Sequence, residues 1–367
     1  MFNNFPTWSV FLIYAVLAAG IVFFSKKLAD YVDALDKKTK ISGAFIGAVL
    51  LAAVTSLPEL FTSISATLLV KDGEQLVIGN ILGSNLFNLA IVGFALILFF
   101  RLFAKSKIEY KTQFIVITAC LIIYAIIAYG ICAPTTAQPI LGPINFLAIL
   151  IFIGYGLAIF LQPKNKDEEN DEEEAKVDPM PNLSVKQVIV RFVIFAVLLI
   201  ATSIFITYAT DAISEKVFNG DDTIAGAIFL AIATSLPELT STFVLCKKGN
   251  FNAALGDITG SCLFNFLIIG LAEFMSFKVS LLGGYTGEEG NLSAIIMLVS
   301  TVVVLLVLLG NLFINKNAQK KGKEDSKLRF AIFAASGVII TAGYFVFLIL
   351  SNFVIWKFIS ASNLVYL

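Results

Sequence analysis

Thr55-Ser56-Leu57-Pro58-Glu59-Leu60 recurs 179 residues later as Thr234-Ser235-Leu236-Pro237-Glu238-Leu239, identical at all six positions. A second shared stretch follows each copy. Gly79-Asn80-Ile81-Leu82-Gly83-Ser84-Asn85-Leu86-Phe87-Asn88 returns 177 residues on as Gly256-Asp257-Ile258-Thr259-Gly260-Ser261-Cys262-Leu263-Phe264-Asn265, alike at seven of ten positions. Two motifs repeated in the same order, at nearly the same offset, indicate two copies of one structural unit.

Both copies sit in strongly apolar surroundings. The 367-residue chain is 58% hydrophobic and only 14% charged, with a mean hydropathy of +0.89. A spanning helix needs about 20 mostly apolar residues. Ten segments qualify: Trp8–Phe24, Ser42–Leu69, Gln75–Phe100, Phe114–Ile131, Gly142–Leu161, Val185–Tyr208, Thr223–Cys246, Asn252–Phe274, Ala294–Phe313 and Phe330–Leu350. The expected class is an all-α integral membrane protein. The tail 353–367 is apolar but short and carries Lys357, which predicts an interfacial segment. The N-terminus lacks a basic leader, so the first span reads as retained rather than as a removed signal peptide.

Basic residues orient the spans. With the loop after the first span in the cytoplasm, 22 of the 26 Lys and Arg fall on the cytoplasmic side, and only Lys71, Lys216, Lys278 and Lys357 on the other. Both termini are then outside. The long polar break, 164–183, carries seven acids between Asp167 and Glu174 and reads as a solvated cytoplasmic linker rather than a calcium-sensing tail. It separates a first five-helix repeat, 1–163, from a second, 184–367. Five is odd, so the two copies lie upside down relative to each other. Inverted repeats of this kind place a substrate site at the membrane midplane between the halves.

Several chemistries are excluded. The chain has no histidine, which removes His-based triads, His-ligated metal centres and HExxH proteases. Cys120, Cys132, Cys246 and Cys262 form no CxxC pair and read as small apolar residues. A formal net charge of +0 gives no reason to expect nucleic acid. No enzyme activity and no bound cofactor are expected. The lipid bilayer is an expected partner; the sequence does not say which proteins, if any, it meets.

Glu59 and Glu238 are the acids nearest the middle of any span, and intramembrane acids mark function. Glu273, Asp211 and Asp257 lie nearer span ends, where structural or interfacial roles suffice. Pro58 and Pro237 lack an N–H and break the helical ladder, which frees carbonyls about one turn upstream. In hydrocarbon those oxygens need a partner, and a desolvated cation is one. Ala52, Thr55, Ala231 and Thr234 offer backbone oxygens, and Thr55, Ser56, Thr234 and Ser235 add hydroxyls. Ser84 with Asn88, and Ser261 with Asn265, are four apart and share a helix face. A proline kink or a GxxxG pair alone would be weak evidence; their joint repetition beside a glutamate is specific. The donors are all hard oxygen, and two carboxylates balance one Ca²⁺, which accepts six to eight such ligands.

At these residues the chain resembles the sodium/calcium exchanger branch of the cation/calcium exchanger superfamily. The family's two α-repeats correspond to 43–100 and 223–274. The resemblance implies alternating-access export of one Ca²⁺ against inward Na⁺, usually three, through the plasma (inner) membrane. It implies Glu59 and Glu238 as shared Ca²⁺ and Na⁺ ligands, and Ser56, Ser84, Ser235 and Ser261 as Na⁺ ligands. Asn88 would line the centre, with backbone oxygens from Ala52, Thr55, Ala231 and Thr234. The first and sixth spans would slide as gating helices. The chain departs from the family at Val54 and Ala233, where glycine is usual, and at Asn265, where many members carry aspartate. The second departure bears on Na⁺ stoichiometry and leaves H⁺ and K⁺ as further candidate ions. A Ca²⁺/H⁺ antiporter is the first rival reading and a cation channel the second.

Overall fold

The computed structural model describes residues 1–39, 55–70, 73–106, 108, 110–133, 137, 140–141, 144–162, 180–218, 222–247, 249, 251–276, 281–282, 288–320 and 327–364. The described chain is helical apart from one hairpin of two-residue strands. We label the elements α1 (Thr7–Thr39), α2 (Leu57–Leu69), α3 (Glu74–Lys105), α4 (Tyr110–Cys132), β1 (Ile140–Leu141), β2 (Ile144–Asn145), α5 (Leu147–Leu161) and α6 (Val185–Val217). The rest are α7 (Asp222–Thr234), α8 (Leu236–Lys247), α9 (Phe251–Met275), α10 (Glu288–Lys320) and α11 (Lys327–Leu364).

Seven of these helices contain a stretch long and apolar enough to cross a membrane, and the bent pair α7–α8 makes an eighth candidate. The shorter apolar helices α2 and α5 fall in the second and fifth expected spans. The first part of the second span, with Ala52, lies outside the described residues, as does most of the acidic linker. The tail continues the last span in one helix: α11 runs 38 residues through Leu364. No proline or glycine lies between Gly343 and the chain end to stop it.

Burial sorts the helices. In α3 and α9, which carry the second repeated motif, 56% and 67% of the apolar window is buried, against 17% in both α1 and α6. The last two pack along each other, and Tyr14 Oη of α1 donates to Phe229 O of α7 at 2.9 Å. Small residues let the central helices approach. A Cβ added at Gly83 of α3 would sit 2.5 Å from Ala227 Cα, and one at Gly226 2.7 Å from Leu76 O. The small-xxx-small spacing of Gly79 and Gly83 therefore marks a real crossing of α3 over α7.

Polar side chains inside the bundle are bonded locally. Thr62, Ser65, Thr207 and Thr259 each donate to the carbonyl four residues back, which satisfies the hydroxyl where water is absent. Ser184 and Gln187 form a capping box that starts α6.

Glu273, near the end of α9, is fully buried. Its Oε1 accepts from Asn145 N and its Oε2 from Leu282 N, both at 3.0 Å. It ties the β1–β2 hairpin and the segment after α9 to the helix end, the structural role expected of an acid near a span end. Glu273→Ala strands two buried N–H donors. The expected loss is on the order of 3 kcal/mol of stability, seen as a lower melting temperature in detergent with cation affinity unchanged. Unaltered melting would show that the tie is dispensable.

Candidate cation site

The two Pro-Glu motifs produce the same local break. Ser56 and Ser235 leave the helical region in nearly the same way, with φ −88°, ψ 7° and φ −91°, ψ 6°. A new helix starts after each, bent by 45° from α7 in the second half. Pro58 and Pro237 then occupy the first turn of a helix, where a missing N–H costs nothing. Glu59 and Glu238 come next, at the positive end of the new helix dipole. The preceding half-helix α7 ends at Thr234 and points its negative end at the same place. A five-residue π-helical turn, Gly226–Leu230, lies just upstream, a distortion frequent at functional sites.

Both carboxylates are fully buried. Ser235 Oγ donates to Glu59 Oε1 at 3.1 Å, and Ser261 Oγ to Glu238 Oε1 at 2.9 Å. Ser56 Oγ and Ser261 Oγ are 2.6 Å apart, and Ser84 Oγ and Thr234 Oγ1 3.4 Å apart. Three of these four contacts join one half of the chain to the other, so the site belongs to neither half alone. Asn85 and Cys262, equivalent positions of the repeat, bond each other's backbone: Asn85 Nδ2 donates to Cys262 O at 3.3 Å and Cys262 Sγ to Asn85 O at 3.8 Å. Such a reciprocal pair is what a two-fold relation between α3 and α9 produces. Asn265 Nδ2 donates to Asn85 Oδ1 at 2.9 Å.

The unfilled valences are as informative as the bonds. Glu59 Oε2, Glu238 Oε2, Asn265 Oδ1 and both polar atoms of Asn88 are buried without a hydrogen-bond partner among the described residues. The only ion pair among those residues is the peripheral Lys27–Asp30, at 3.8 Å. No cationic side chain among the described residues therefore neutralises Glu59 or Glu238, and two such carboxylates in a dry interior call for a bound cation or a proton. Oxygen atoms dominate the centre, which suits a hard cation. Among the described residues no three His, Cys, Asp or Glu side chains converge as a permanent metal centre would require.

The structure thus brings together Glu59, Glu238, Ser56, Ser84, Ser235, Ser261 and Thr234, with Asn88 and Asn265 buried on the same helices. Thr55 is buried at the first break. Ala231 O already accepts from Ser235 N at 3.1 Å and from Thr234 Oγ1 at 3.4 Å. It keeps little of the freedom that the proline was expected to confer, because Ser235 closes that turn through its own N–H. Asn80 and Asn85 are not among the residues that the motifs single out, and Asp257 is expected there only as a span-end acid, yet all three are fully or nearly fully buried. The signal is present in the motif itself, since all three lie at two of the three positions at which the repeats differ.

Ser261 and Ser84 have unequal attachments, which makes a graded prediction. Ser261→Ala removes the donor from a buried carboxylate, whereas Ser84→Ala removes one weak contact. Affinity for the bound cation is expected to fall on the order of tenfold for Ser261→Ala and less for Ser84→Ala. Equal losses in the two variants, read by cation titration of the purified protein, would argue against this grading.

A helical, multi-pass membrane protein with a buried anionic centre shared between two repeats is the construction of a secondary cation transporter. Residues 9–163 and 187–353 match the family described as sodium/calcium exchanger protein, and the chain belongs to that family. It is 26% identical over 294 residues to the sodium/calcium exchanger MaX1 of Methanosarcina acetivorans, covering 71% of this chain and 82% of that protein. Its backbone resembles that of the H⁺/Ca²⁺ exchanger CAX, with a TM-score of 0.57 at 15% identity over 96% of this chain and 92% of that one. It also resembles the sodium-calcium exchanger NCX_Mj, with a TM-score of 0.52 at 18% identity over 93% and 96%. At those identities the two structures speak to the fold alone.

Proposed function

We propose that this protein is an antiporter of ten spans in two inverted five-helix repeats that exports Ca²⁺ in exchange for Na⁺ by alternating access. The observation that carries the reading is the pair Glu59 and Glu238. Both are fully buried, both are held on one oxygen by a serine, and both have the other oxygen unpartnered. Their combined charge of −2 matches Ca²⁺, and the serine and threonine hydroxyls around them supply further oxygens for Na⁺. The same carboxylates serve both ions, so each ion must leave before the other binds. That competition is the basis of coupling.

The moving part in this reading is the peripheral pair α1–α6. It has the least buried surface of the long helices, and so the least packing to lose when it slides past the centre. The distribution of Lys and Arg supports both termini outside and the acidic linker inside, in a plasma (inner) membrane.

Proteoliposomes under Na⁺, K⁺ or H⁺ gradients imposed singly test the coupling. A Na⁺ gradient alone is expected to drive Ca²⁺ uphill at fixed pH. Uphill Ca²⁺ movement driven only by a proton gradient would establish the Ca²⁺/H⁺ reading. That reading draws on one specific observation: with asparagine at 265 the centre holds two carboxylates, and two protons would replace one Ca²⁺ without net charge. Flux that no gradient can drive uphill would identify a channel.

A further inference from the structure

Asp257 is a buried carboxylate close to the centre that the exchange reading leaves unused. It lies on α9 eight residues before Asn265, about 12 Å along the helix axis, toward the α8–α9 turn. It is 4% exposed. Ser241, one turn beyond Glu238 on α8, makes a short hydrogen bond to Asp257 Oδ2 and contacts Glu238 O at 3.1 Å. Asp257 Oδ1 has no hydrogen-bond partner among the described residues, and neither has the fully buried Oγ1 of Thr242. Ser241 thus bridges Asp257 to the Glu238 turn of α8.

The repeat supplies a built-in comparison. Asp257, Ser241 and Thr242 correspond to Asn80, Thr62 and Ser63 of the first half. There Asn80 Nδ2 donates to Thr62 Oγ1 and to Ser63 Oγ, both at 3.0 Å, while Asn80 Oδ1 faces Thr234 Oγ1 at 3.5 Å. That cluster is neutral and satisfied. In the second half the amide is replaced by a carboxylate that has no proton to donate. One hydroxyl is engaged, the other is stranded, and acceptor oxygens are in surplus. A cation is the partner such a set lacks.

We propose that Asp257, with Ser241, Thr242 and the nearby Glu238 carboxylate, forms a second cation station that loads the Glu59–Glu238 centre from the membrane face at the α8–α9 turn. The station takes a divalent, oxygen-seeking cation of the Ca²⁺ class. The inference rests on the reading of Glu238 as a cation ligand. Its consequence is an asymmetric transporter. The face at the α8–α9 turn, which carries Lys247 and Lys248 and is cytoplasmic by the basic-residue count, captures Ca²⁺ at lower concentration. The opposite face, guarded by neutral Asn80, releases it more readily. An exporter working against a steep gradient needs that difference.

The test compares Ca²⁺ flux in vesicles of both orientations, using the full chain. Asp257→Asn copies the residue that the first half already accommodates. It is expected to raise the KM for Ca²⁺ about tenfold at the α8–α9 face, with less than a twofold change at the other. Asn80→Asp is expected to lower the KM at the opposite face, and it carries the test if Asp257→Asn does not fold. Unchanged KM at both faces, or an equal rise at both, would overturn the station. Glu238→Gln in the same vesicles separates the two readings. Its inactivity alongside a wild-type Asp257→Asn leaves the centre standing and removes the station, whereas normal exchange by Glu238→Gln removes the centre itself.

Discussion

Glu59→Gln or Glu238→Gln is expected to abolish coupled Ca²⁺ transport while leaving a folded protein. Each glutamate supplies half of the negative charge of the Glu59–Glu238 centre that faces the cation. At an effective dielectric of roughly 20, a carboxylate charge and a divalent cation roughly 2.5 Å apart attract by on the order of 10 kcal/mol before desolvation is subtracted. If only a third of that survives as net affinity, its removal weakens Ca²⁺ binding by more than ~100-fold. Glutamine has the shape of glutamate and keeps an oxygen to accept from Ser235 or Ser261, so the breaks and their packing persist. Size-exclusion behaviour and melting in detergent check the fold, and Ca²⁺ flux in proteoliposomes checks the function. Near wild-type exchange in either variant would refute the assignment. The same carboxylates make protons competitors of Ca²⁺. Transport should fall on acidification and recover when Ca²⁺ is raised, and flux that stays flat well into the acid range would contradict this.

Asn265→Asp is expected to alter Na⁺ coupling more than Ca²⁺ binding. Asn265 Nδ2 donates to Asn85 Oδ1, and Asn265 Oδ1 is buried without a partner. With two carboxylates the centre balances one Ca²⁺, whereas three Na⁺ would leave it at +1 in a low-dielectric interior. Amide oxygens must then absorb that charge, or fewer Na⁺ bind per cycle. An aspartate adds a third negative charge and removes the donor to Asn85, so acceptors face each other until a cation bridges them. Apparent Na⁺ affinity should rise by on the order of tenfold or more, with Ca²⁺ affinity changed less. The reversal potential of Ca²⁺-coupled current, measured against the Na⁺ gradient in both proteins, reads the stoichiometry. Identical potentials and identical Na⁺ dependence would show that position 265 does not set coupling.

Much of this site can be read along the chain because the bilayer is a severe solvent. A span must be apolar throughout, so Pro58-Glu59 and Pro237-Glu238 stand out against their surroundings. Duplication exposes them a second time. The helix period places Ser84 with Asn88, and Ser261 with Asn265, on common faces, and the structure keeps all four buried on α3 and α9. The α2 and α8 starts also follow from sequence, since proline can begin a helix but not continue one.

Periodicity states which residues share a face; it does not state which faces meet. The approach of Ser56 to Ser261 and of Ser235 to Glu59 spans 205 and 176 residues of chain, and close packing such as that of α3 on α7 at Gly83 and Gly226 is not written in either motif. Asp257 shows the limit most clearly. Its distance along α9 suggested a span-end acid, yet the antiparallel packing of α8 on α9 buries it beside Ser241, which ties it to the Glu238 turn. Glu273 shares that helix and that chemistry, but its two oxygens are met by backbone N–H groups. The sequence by itself determined the membrane class, the repeat and the paired glutamates, because hydrophobicity and helix-breaking are local properties of a chain in lipid. Only the tertiary structure decided which carboxylates are satisfied and which are left to bind a cation. Hydrogen-bond partners inside a bundle come from neighbouring helices, and those neighbours are set by packing rather than by sequence distance.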